Sequence, residues 1–314
     1  MKKLLIYSLS ILLASTLFFT ACKKSTSSST NPAENVLEPQ VQAADQTMVA
    51  NQTDAVTTDA STVAENVIAI TGNTPTIFFP PPCNATITYD TLNAVRTVTI
   101  TYNGLSCDGT HMRNGVITIS IPAGQLWRNA GAQLTISYDT LKITRVSDGK
   151  SITINGSIVI TNVTGGLLRN LALLGTITHT INSNGMTVSF DNGTQRSWQI
   201  AKQRTYTYSN GMVVSTTGTH TDGSTTGIAE WGTNRFGNSF ETAIIDPLVI
   251  RQDCSFRLTS GHVKHIGLLR TVDVTFGLDA IGNPTSCPGT GVYYMKIVWV
   301  NKRFIQQISG KVIL

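Results

Sequence analysis

The residues whose chemistry would matter most are five cysteines (Cys22, Cys83, Cys107, Cys254, Cys287), five histidines, and the two glutamates beyond residue 82, Glu230 and Glu241. A nucleophilic triad needs a Ser or Cys activated by a His that a carboxylate orients. No Gly-x-Ser-x-Gly elbow accompanies His111, His179, His220, His262 or His265, and isolated histidines in β-rich chains are mostly structural. His262-Val263-Lys264-His265 is the only close histidine pair. Thr259-Ser260-Gly261 before it reads as a turn, and Lys264 would repel a cation, so no metal site is expected. Asp108 near His111 is no stronger. Glycosidases hold two carboxylates about 5 to 9 Å apart. Glu230, in Gly227-Ile228-Ala229-Glu230-Trp231-Gly232, could serve as a sugar-site acid, although strand alternation puts Glu230 and Trp231 on opposite faces. Trp127, Trp198, Trp231 and Trp299 could stack on sugars or peptides, or fill the core. The expectation is no catalytic residue, no cofactor and no metal.

The N-terminus carries a different chemistry. Lys2 and Lys3 precede an apolar core from Leu4 to Phe19, then small residues and Cys22. That order is the grammar of a signal peptide over residues 1–21. The core is short of the roughly 20 apolar residues that a span needs and is broken by Ser8, Ser10, Ser15 and Thr16. Phe19-Thr20-Ala21-Cys22 resembles the lipobox of bacterial lipoproteins, with Phe19 where Leu is usual. The resemblance implies cleavage before Cys22 and acylation of its thiol. Two or three acyl chains, each contributing about 0.8 kcal/mol per buried methylene, then hold the chain to a bilayer.

Residues 22–82 are rich in Ser, Thr, Asn, Gln, Ala and Asp, with few large apolar residues before Val67. Such a segment buries too little to offset its ordering entropy, and a mostly flexible linker is expected. Met48, Val49, Val56, Val63 and Val67 are spaced as in a loose helix, but the Thr and Asp among them are poor helix formers. Pro80-Pro81-Pro82 forbids a helix or a central strand and sets the expected start of the folded body at Cys83. The linker carries two basic and six acidic residues, the body nineteen basic and twelve acidic. A basic body favours anionic glycans or lipid headgroups. With its cations scattered and no recognition motif, nucleic acid is excluded.

From residue 83 to 314 the chain alternates apolar and polar residues at 85–89, 97–102, 116–121, 134–138, 151–160, 187–190, 271–276 and 295–300. Period-two alternation in Thr, Val, Ile and Tyr predicts half-buried antiparallel strands. Asn103-Gly104, Asp108-Gly109, Asn114-Gly115, Asp148-Gly149, Asn192-Gly193, Asn210-Gly211 and Asp222-Gly223 predict the turns between them. The expected class is all-β, antiparallel sheets packed like a sandwich, with possible halves at 83–190 and 191–314. A faint repeat supports two halves: Cys83, a strand, Arg96-Thr97-Val98, then Ser106-Cys107 is echoed by Cys254, a strand, Arg270-Thr271-Val272, then Ser286-Cys287. Four cysteines allow three pairings, and the repeat selects Cys83 with Cys107 and Cys254 with Cys287. Free or metal-bound thiols are the alternative, without a Cys-x-x-Cys spacing to support them.

Cys107 followed by Asp108-Gly109, the block Thr194-Gln195-Arg196-Ser197-Trp198, and Asp246-Pro247-Leu248 ahead of the late cysteine pair resemble a group of uncharacterised Bacteroidota lipoproteins. That group implies architecture and address, with no activity attached. Surface-displayed lipoproteins of such bacteria commonly carry acidic residues after the acylated cysteine, whereas Lys23 and Lys24 follow it here. The chain is therefore expected at the outer membrane, facing the periplasm. It is expected to be held by the bilayer through Cys22 and to be a non-enzymatic binding or structural module, whose partner would be a glycan or an envelope protein. A carbohydrate-active enzyme using Glu230 and an assembly subunit are the alternatives.

Overall fold

The alternating runs form strands in the computed structural model, which describes residues 34–67, 81–90, 95–254, 256–267, 271–285, 293–299 and 302–308. The all-β antiparallel class is as expected, and the fifteen strands belong to one sheet. In chain order they are β1 Ala85–Asp90, β2 Val95–Leu105, β3 His111–Pro122, β4 Ala132–Arg145, β5 Ser151–Asn162, β6 Thr176–Phe190, β7 Gln195–Tyr208, β8 Met212–Gly218, β9 His220–Asp222, β10 Thr225–Thr233, β11 Ser239–Arg251, β12 Arg257–Gly267, β13 Thr271–Leu278, β14 Tyr293–Trp299 and β15 Lys302–Ile308. A short helix, α2 (Leu171–Leu174), precedes β6. A long one, α1 (Glu34–Glu65), precedes the whole sheet.

The strands pair in a simple meander except between β7 and β11, where two strands share one position. Residues Ser197 to Ile200 of β7 pair with β10, and Lys202 to Tyr208 pair with β8. The far neighbour β11 divides in the same way, its start on β10 and its end on β8. The two short strands meet at Gly218, where a Cβ would stand 2.0 Å from the Gly227 carbonyl oxygen. Only glycine fits there.

Five of the seven expected Gly turns lie between strands. The other two do not turn: Asn103-Gly104 runs inside β2, and Asn114-Gly115 inside β3. A side chain at Gly115 would meet the Thr140 carbonyl oxygen at 2.8 Å, and one at Gly156 would meet that of Gly185 at 2.6 Å. These glycines mark register shifts that fall side by side in β3, β4, β5 and β6, at Asn114/Val116, Tyr138/Leu141, Asn155/Ser157 and Asn182/Met186. Bulges bend the strands that carry them. A row of four makes a crease across the sheet.

Arg113 and Tyr138, next to two of these shifts, bond to α1. The expectation left residues 22–82 as linker and began the folded body at Cys83, but the unit that contains the sheet runs from Leu37 to Leu314. Within it Val49, Val56, Ala60, Val63, Ala64 and Val67 join the same buried cluster as Ile100, Ile119, Ile136, Ile158, Val188 and Trp198. Three valines and four threonines between Val49 and Glu65 give a weak intrinsic helix. Packing against the sheet supplies what propensity does not. The other unit is Met1–Val36, and the expected signal peptide and Cys22 lie outside the described residues. Among the described residues no helix is long and apolar enough to cross a membrane.

Candidate functional site: the charged seat of α1

The site begins with β7. Its buried positions 196, 198, 200, 202, 204 and 206 share one face and read Arg, Trp, Ile, Lys, Arg, Tyr. Three cations on a buried face require counter-ions, since an unpaired charge away from water is very costly. The α1 helix and Glu230 of β10 supply them.

From the N-terminal end of α1, Asp45 accepts two bonds from Arg235, at 2.6 Å from Nε and 2.6 Å from Nη2. Gln46 accepts from Arg196 Nη2 at 2.7 Å and donates to the Glu230 carboxylate. Asp54 lies 3.0 Å from Arg204 and 3.6 Å from Lys202. Asp59 takes Arg113 of β3 and the Tyr102 hydroxyl of β2, each at 2.9 Å. Thr57 meets the Tyr138 hydroxyl of β4 at 3.2 Å. At the C-terminal end the Glu65 carboxylate accepts from the Leu168 amide at 3.0 Å.

These partners fix the sheet's curvature. Asp54 and Asp59 are five residues apart, so they point about 140° from each other around the helix axis. One reaches β7 and the other reaches β2 and β3. In a flat sheet β2 and β7 would stand about 24 Å apart at ~4.8 Å per strand, against a helix only 10–12 Å or so in diameter. Reaching both requires the sheet to curve around α1.

Glu230 is the hub of the far wall. It is 3 % exposed, with Lys202 Nζ at 2.6 Å and Trp198 Nε1 donating at 3.0 Å. Burial pulls the Lys202 ammonium down, but Asp54 and Glu230 outweigh it, and its pKa lies above the ordinary lysine value. Burial raises the carboxyls of Asp45 and Asp59 despite their arginine partners. It raises the Tyr102 hydroxyl further, with the Asp59 charge adding to it. Burial also lowers His265 to about 4, Glu230 opposing and Arg196 reinforcing the shift.

The two glutamates do not form a catalytic pair. Glu230 stands opposite Thr242 in the β10–β11 ladder, while Glu241 stands opposite Trp231, one position on and therefore on the other face. Trp231 is covered by His220, their rings stacked at 3.9 Å. Trp127 and Trp198 are fully buried. His179 lies between Trp127 and Tyr206, ring centroids 5.0 Å from each, and burial lowers it to about 3. The segment Thr259-Ser260-Gly261, expected to turn, continues β12. This puts His262 and His265 on opposite faces: His265 meets Thr242 at 3.0 Å, and His262 meets Asp273 at 3.0 Å. Among the described residues no group of three or more His, Cys, Asp or Glu could hold a metal ion.

Cys83 and Cys107 form a disulfide, their Cα atoms 5.1 Å apart. Cys254 is buried and disulfide-bonded, and Cys287 lies outside the described residues. The seat itself was not foreseen from the sequence. Its signals were the opposite net charges of residues 23–82 and 83–314, and three cations at even positions of one strand. Compared with protein-family models, curated proteins and solved structures, the chain matches none.

Proposed function

We propose that the chain is an extracytoplasmic lipoprotein, held at the outer membrane by acyl groups on Cys22, and that its body is a non-enzymatic binding or structural module facing the periplasm. The observation that carries this reading is Phe19-Thr20-Ala21-Cys22 behind an apolar core, only twelve positions before Glu34 opens α1. Even fully extended, that stretch spans no more than about 40 Å. Since α1 is part of the folded body, the module works close to the lipid surface and not at the end of a sixty-residue leash. The Cys83–Cys107 disulfide suits an oxidising compartment. Glu230 acts as counter-ion to Lys202 and acceptor for Trp198, which favours a structural over a hydrolytic role for it. The partner, a glycan or an envelope protein, meets the outward faces of the strands and their loops.

The test is metabolic labelling with a palmitate analogue, followed by membrane fractionation. The natural chain is expected to take the label and sediment with membranes, and Cys22→Ser to lose both. Label persisting on Cys22→Ser would refute the anchor.

A further inference from the structure

The trough under α1 is built to recognise a helix. Its cations are spread along the helix, meeting Asp45, Asp54 and Asp59 over fourteen residues, or about 21 Å of helix axis. A ligand with a single charged head cannot reach them all, whereas a helix with acidic residues at this spacing can. The recognition is carried by side chains: α1 adds no strand to the sheet, and the strand order runs from β1 to β15 without it.

The covalent connection from the helix to the sheet is residues 66–82, beyond which the Cys83–Cys107 disulfide fastens the chain at the foot of β1 to the end of β2. Seventeen residues reach about 60 Å when extended. The same connection that lets α1 seat in its own sheet is long enough to deliver it to a neighbouring one. Contacts in a neighbour would be identical, so exchange costs only association entropy, and anchoring copies in one plane reduces that cost.

We propose that the trough is an exchangeable receptor, and that its second occupant is α1 of another copy of this chain, so that neighbouring copies join by swapping helices. The charge ladder is the key that admits this helix in this register. The proposal is independent of the anchor, since exchange requires only the trough, the helix and the connection.

The test uses full-length chains in two differently tagged versions, co-expressed. One carries Asp59→Arg and the other Arg113→Asp. Each alone sets like charges against each other in its own seat, while an exchanged pair restores one natural and one reversed ion pair. The two versions are expected to co-purify and to resist protease several-fold longer than either alone. The double variant in one chain should regain that resistance by itself. A second pair avoids any dependence on folding: Asp45→Cys in one copy and Arg235→Cys in the other should give an interchain disulfide, several-fold above a control with Asp148→Cys in place of Arg235→Cys. Absence of the interchain disulfide, while both cysteines in one chain do cross-link, would overturn exchange.

Discussion

Glu65 closes the C-terminal end of α1, and burial pushes its carboxyl up to about 7, partly offset by the amides of Leu168 and Arg169. A carboxyl raised in the folded state favours folding when protonated. Its contribution is therefore complete below about pH 4.5 and is lost as pH rises through about 7. The size is about 3 kcal/mol, from roughly 1.4 kcal/mol per pKa unit on a buried group. Glu65→Gln keeps the shape and removes the charge, so it should be more stable than the natural chain above pH 7 and similar to it at pH 4. Urea midpoints across that range read this directly, and equal pH profiles for the two would remove Glu65 as the cause. His179 works in the opposite direction. Burial lowers it to about 3, so its contribution is present above about pH 6.5 and is lost as pH falls toward 3. His179 and the similarly lowered His265 therefore favour the folded state less as pH falls, whereas Glu65 favours it less as pH rises.

At the scale of elements, α1 decides whether the sheet has a filled interior. Val56 is fully buried within the main cluster. Val56→Asp would place a charge there with no partner, a change costing more than about 4 kcal/mol. The expected outcome is loss of α1 from its seat, read as protease cleavage between residues 34 and 67 with strand content retained by circular dichroism. Asn51→Asp, at an exposed position of the same helix, should leave cleavage unchanged, and equal cleavage in the two variants would contradict the seat. Strands were legible because period-two alternation is local: Thr97 to Tyr102 and Ser151 to Ile160 carry their partners' pattern within themselves. Asp108-Gly109 and Asn192-Gly193 were legible as turns for the same reason. The seat was not, because its pairs join residues far apart in the chain, such as Asp45 with Arg235 and Asp54 with Arg204. Read alone, Asp54 and Asp59 are solvated residues in a polar tract, and Arg204 is a charge on an outward strand face. Only the fold makes each the reason for the other. The valines of α1 did show a helical spacing, but their packing partners lie on β2 to β7, which no local pattern reveals.

In the whole molecule nearly every strand is held by the strand next to it in sequence, which makes the sheet quasi-linear and α1 its cross-brace. The brace touches β2, β3, β4, β7 and β10 and shares their cluster. Ala229 of β10 with Ile244, Val263, Val272 and Val274 of β11 to β13 forms a separate, smaller cluster that holds no described side chain of α1. Leu171, Ile177, Tyr206, Met212 and Val214 form another. Opening free energy follows local burial, so the molecule should not open uniformly. Buried amides of β3 to β7, such as those of Ile119, Ile136, Ile158 and Val188, should exchange slowest, near the global unfolding limit. Those of β12 and β13, such as Val263 and Val272, should open sub-globally and exchange faster, because their cluster is small and unbraced. Val56→Asp supplies the discriminating comparison. Unseating α1 should accelerate exchange in β3 to β7 far more than in β12 and β13, since only the first group loses a packing partner. Hydrogen-exchange mass spectrometry of the natural and substituted full-length chains measures both sets in one experiment. Equal acceleration in the two groups would mean that the sheet opens as a single cooperative unit and that α1 braces all of it.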